Sequence, residues 1–76
     1  MTFWRLYMIY TQADLRSALE RYELSTGVKP KYARISAKAP AELIEMMRAT
    51  GLQVEVSKSL LSRDIWLTHE IEQPVL

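Results

Sequence analysis

Two short phrases, each built on one of the chain's two glycines, constrain its fold more than anything else in it. Ser25-Thr26-Gly27-Val28 runs into residues 31–36, and Ala49-Thr50-Gly51-Leu52 runs into residues 53–57. In each phrase an amphipathic stretch closes on glycine, which enters the left-handed region without a Cβ penalty. An apolar residue follows to pin the helix end, and period-two alternation begins. The two copies share little else: upstream Leu19 and Leu43 agree, and among the residues next to the glycines only the preceding Thr is identical. They read as one physical solution reached twice, not as a duplication.

The rest of the chain fits around these phrases. Thr11 supplies an N-cap, with Asp14 three residues on to complete a capping box. Leu15, Ala18, Leu19 and Tyr22 make an apolar stripe at helical spacing, which predicts a first helix over residues 12–26. Pro30 bars its resumption. Residues 31–36 alternate, Ala33 and Ile35 against Tyr32 and Arg34. Pro40 is expected at the first position of a second helix, which carries Leu43, Ile44, Met46 and Met47 and stops at Gly51. Met46 or Ile44 is expected at a contact between helices or subunits, because these apolar residues exceed one stripe. Leu52, Val54 and Val56 alternate with polar residues in a second strand, and Ile65 and Leu67 with Trp66 and Thr68 in a third. Residues 3–10 read as a further strand; the alternative is a leader extension.

The element order is therefore (β)αβαββ, an α+β fold of the two-layer α/β kind. Its mixed sheet of three to four strands carries both helices on one face, because strand–helix–strand units cross over with one hand. The last two strands are expected to pair as an antiparallel hairpin. Ala33, Ile35, Val54, Val56, Ile65 and Leu67 are expected to face the helices. Residues 1–10 form the N-terminal strand or leader extension, residues 11–71 one domain, and residues 72–76 a tail.

Composition narrows the chemistry. The 76-residue chain lacks cysteine and has one histidine and a formal charge of +1. No disulfide or thiolate chemistry is open to it, and one histidine makes a metal site improbable. A domain this small has a marginal core and often gains stability by associating. The apolar N-terminal stretch is shorter than the ~20 residues of a spanning helix and lacks a signal-peptide cleavage site. The expectation is a cytoplasmic protein with no membrane partner. Both glycines follow helices, so no phosphate-binding loop is present. His69 reads as a rim residue, since nothing in the sequence places Ser62 or Asp64 beside it to form a catalytic set. No cofactor and no enzymatic activity are expected.

The sheet face away from the helices is the candidate contact surface, with Tyr32, Arg34, Glu55, Trp66 and Thr68 on it beside Gln53 and Glu70. Aromatic residues and arginine dominate binding energy when desolvated. The competing reading is internal: Tyr32 and Trp66 packing across strands, and Arg34 and Glu55 forming a cross-strand ion pair. Leu60 and Leu61 add a second candidate in the loop 58–63, one buried and one exposed. The N-terminal segment is aromatic enough to fold over the open face. Helix, short strand and the strand after Gly51, with Val54 and Ile65, look similar to a segment of phage capsid-type proteins. The resemblance implies an origin in a mobile element and carries no site residue. The expected function is a small non-enzymatic protein-interaction or self-association module, in the simplest form a homodimer. The alternative is a nucleic-acid-binding regulator using the same face, with Lys29, Lys31, Arg34, Lys38, Lys58 and Arg63 as its cations.

Overall fold

A computed structural model describes residues 4–70. It contains β1 (Arg5–Met8), α1 (Gln12–Thr26), β2 (Tyr32–Ser36), α2 (Ala41–Ala49), β3 (Gln53–Ser57) and β4 (Asp64–Thr68). The order βαβαββ and the mixed two-layer architecture are those expected, with the N-terminal segment contributing a fourth strand. The tail 72–76 and Ile71 lie outside the described residues.

Local chemistry accounts for the helix ends. Thr11 is the N-cap of α1: its hydroxyl accepts from Asp14 N–H at 3.1 Å. The Asp14 carboxylate accepts in return from Thr11 N–H at 3.0 Å and Tyr10 N–H at 2.9 Å. Gly27 ends the helix at φ +78°, its N–H donating to Glu23 O at 2.7 Å. Gly51 takes φ +81° one residue past Thr50, the C-cap of α2. Pro40 is the N-cap of α2 and not its first helical residue, with an extended ψ of 150°. Its carbonyl still opens the helix, accepting from Leu43 and Ile44 N–H.

The spatial order of the sheet is β1-β4-β2-β3. β2 and β3 are parallel, and β4 runs antiparallel to both of its neighbours, β1 and β2. This corrects the expected hairpin: β3 and β4 are not neighbours. Burial explains the choice. Asp64, Ile65, Leu67 and Thr68 are buried and Trp66 is half-buried, which suits a strand shielded by neighbours on both edges. β3 carries Gln53 and Glu55 exposed and takes an edge. The loop 58–63 accordingly passes the end of β2, where the Ser36 hydroxyl donates to Leu60 O at 3.0 Å.

The core lies between the sheet and both helices. Ala33, Ile35, Ile65 and Leu67 meet Leu15, Ala18 and Tyr22 of α1 and Leu43 and Met47 of α2, and Ile9 closes the β1 side. All the strand residues in this cluster share one parity, so both helices cover the same face. Val54 packs against the cluster, and Val56 faces the helices as expected but is 67% exposed. Ile44 and Arg48 of α2 and Val56 of β3 instead line an open groove of about 230 Å³. Met46 lines a second groove, with Leu15 and Leu19 of α1, which places it between the helices.

Candidate interaction face

Strand alternation and register define the face without helices. β1 contributes Leu6 and Met8, with Trp4 just before it; β4 Asp64, Trp66 and Thr68; β2 Tyr32, Arg34 and Ser36; β3 Gln53, Glu55 and Ser57. Across the sheet Leu6 lies beside Trp66, Trp66 beside Arg34, and Arg34 beside Glu55. The face thus grades from apolar at β1 to ionic at β3.

The ionic side is self-satisfied. Arg34 Nε donates to Glu55 Oε2 at 3.2 Å, the pair read from the sequence as internal. Such an exposed pair is worth at most about 1 kcal/mol. The same guanidinium lies 4.3 Å from the centroid of the Trp4 ring. Trp4 in turn sits 6.4 Å from Trp66, tilted by 42°. Trp66 therefore has Trp4 as its ring partner, but the N-terminal segment does not fold over the face: it joins the sheet as an edge strand and extends it. Sequence reasoning missed Trp4, Leu6 and Met8 as members of the face. The signal was their own period-two spacing, masked by the apolar residues that alternate with them. The Trp66 indole N–H is buried with no hydrogen-bond partner among the described residues.

Two expected contact residues are withdrawn. Thr68 is fully buried, and its hydroxyl accepts from Glu70 N–H at 3.2 Å. Leu60 is buried too, yet lies outside the main core cluster, because the loop folds over the Ser36 end of the sheet. Leu61 beside it is 70% exposed, as one of the pair was expected to be. Tyr32 and Trp66 remain half-buried.

The most exposed apolar members are on β1. Leu6 is 57% and Met8 55% exposed, two residues apart on one strand and on one face. Among the described residues β1 has a neighbour on one side only.

His69 does not meet Ser62 or Asp64. Asp64 begins β4 and His69 follows its other end, about 17 Å along an extended chain. His69 Nδ1 instead pairs with the buried Tyr22 hydroxyl at 2.6 Å, the rings edge-on. Among the described residues no group of three or more His, Cys, Asp or Glu side chains is placed to hold a metal ion. No described helix is long and apolar enough to cross a membrane. The basic residues are divided: Lys29 and Lys31 precede β2, whereas Lys38, Lys58 and Arg63 lie at the opposite end of the sheet. Arg63 is already engaged with Glu42 at 3.2 Å and lies 5.1 Å from the Tyr10 ring centroid. Two titrations are displaced. Hydrogen bonds from the Tyr10 and Thr11 amides hold the Asp14 carboxyl below the usual range, and burial raises Tyr7 above 10.0.

No protein-family model, curated protein or solved structure matches this chain. The similarity to phage capsid-type proteins gains no support from them.

Proposed function

We propose that this chain is a non-enzymatic protein-interaction module whose contact surface is the β1 side of the open sheet face. One observation carries the reading: Leu6 and Met8 stand more than half exposed, side by side, next to Trp66 on an edge strand. Covering both side chains would contribute about 2–3 kcal/mol at the usual yield per buried apolar group. The ion pairs of Arg34 and Arg63, and the split of the lysines between two ends of the sheet, favour this over nucleic-acid binding, which needs a continuous basic stripe.

The test compares the native chain with a Leu6→Lys/Met8→Lys variant. Both side chains point to solvent, so the variant is expected to keep its far-UV circular dichroism. It should lose binding of a fluorescent apolar probe and any association seen by sedimentation velocity. Unchanged probe binding and unchanged sedimentation in the folded variant would refute the assignment of this strip.

A further inference from the structure

We infer that the occupant of the strip is a second copy of the same chain, paired antiparallel along the β1 edge about a two-fold axis at Tyr7. This rests on the interaction reading above and adds the partner and the register.

The backbone supplies the first argument. Ile9 N–H donates to Arg63 O at 2.9 Å, continuing the antiparallel register in which Tyr7 opposes Ile65 and Arg5 opposes Leu67. Peptide groups alternate sides along a strand. Arg5, Tyr7 and Ile9 therefore turn their N–H and C=O groups toward β4, and Leu6 and Met8 turn theirs to the free edge. Tyr10 is next in the outward row, but its N–H is held by the Asp14 carboxylate. Within β1, Arg5–Met8, the outward peptide groups are those of Leu6 and Met8, so the open ladder is short and centred on Tyr7. A two-fold axis there sets Leu6 opposite Met8 of the second copy, and Met8 opposite its Leu6. Each such pair exchanges both of its N–H···O=C bonds, and the exposed apolar side chains cover one another.

The helix above the edge supplies the second argument. Asp14, Ser17, Ala18 and Arg21 of α1 border residues 6–9 in a groove of about 380 Å³. Asp14 and Arg21 lie two helical turns apart with opposite charges, and small residues separate them. Arg21 has no ion-pair partner among the described residues. The same two-fold axis runs the two α1 helices antiparallel, so that Asp14 of each copy approaches Arg21 of the other. A self-complementary edge flanked by self-complementary charge fits a second copy, whereas an unrelated strand has no reason to carry the reversed charges.

Because the chain contains no cysteine, single thiols report the register directly. Directly opposed Cα atoms lie about 5.5 Å apart in such pairs, within disulfide range. A mixture of Leu6→Cys and Met8→Cys chains should form a disulfide dimer at least about fivefold faster than either alone, since like positions are then diagonal neighbours. Leu6→Pro removes an outward N–H without touching the β4 ladder and should raise the dimer dissociation constant at least about tenfold. If that variant does not fold, the mixed-thiol rates decide alone. Equal rates in all three samples, or association that survives Leu6→Pro, would overturn the pairing. A native chain that stays monomeric at every concentration, while Leu6→Lys/Met8→Lys still abolishes probe binding, overturns the pairing and leaves the contact strip standing. If probe binding also persists, both readings fall.

Discussion

The two glycines offer a matched pair of perturbations. Gly27 and Gly51 sit at φ +78° and +81°, and a Cβ placed on either meets no atom within 4 Å. Replacement by alanine therefore adds no clash, and the whole cost is conformational. Forcing an L-residue into the left-handed region costs about 1–2 kcal/mol. Restricting the unfolded chain returns about 0.4–1 kcal/mol. The net expectation is a loss of about 1 kcal/mol at each position, the same at both within error because dihedral and surroundings match. For a domain of this size that lowers Tm by about 4–8 °C. Gly→Asn at either site should cost less, since asparagine tolerates this region better.

Urea unfolding followed by tryptophan fluorescence measures both variants, with the m-value as control. A loss above about 3 kcal/mol at one glycine would mean that its Cβ displaces packed atoms. No loss, or a gain, would mean that the left-handed conformation is not held. Either result refutes the account of how these helices end.

Asp14 makes stability depend on acid. Its folded pKa lies below the unfolded value of 3.8, so its contribution is present above that value and is lost as pH falls through the lower folded pKa. The stability difference between the native chain and Asp14→Asn, measured by urea unfolding, should be constant near neutrality and shrink in that acid window. A difference that does not change there would remove the charged cap from the account. Tyr22→Phe deletes the buried hydroxyl paired with His69 Nδ1 and should cost about 1 kcal/mol, since the part-exposed imidazole regains water. A cost near zero by thermal or urea unfolding would show that this bond adds nothing.

Local physics was legible in the chain, and long-range choice was not. The span of α1 followed from Thr11, Asp14 and Gly27, whose roles depend only on near neighbours. The inward parity of Ala33, Ile35, Ile65 and Leu67 followed from alternation. The place of β4 did not, because a six-residue link after β3 serves a hairpin as well as a step across β2. The burial of β4, half at Trp66 and near-complete elsewhere, goes with the central place, and that is a property of the assembled sheet. The face followed in part for the same reason: Arg34 and Glu55 pair as read, but Trp66 meets Trp4, which a hairpin with β3 would have left distant.

That one choice also sets which edge is available for contact. With β4 inserted between β1 and β2, the sheet of the described residues ends on β3 at one side and β1 at the other. Edge strands are commonly protected by charge. β3 has Glu55 mid-strand, tied to Arg34, with Lys58 just beyond its end, while Arg48 of α2 rims the groove beside it. β1 carries a single charge, Arg5, at its start, and its outward peptide groups belong to Leu6 and Met8. The protection is therefore unequal, and the less protected edge is also the one with the more exposed apolar side chains on the open face. The proposed contact strip rests on the central place of β4, and under that proposal substitutions that weaken the burial of Ile65 or Leu67 should lower association, by sedimentation velocity, together with stability.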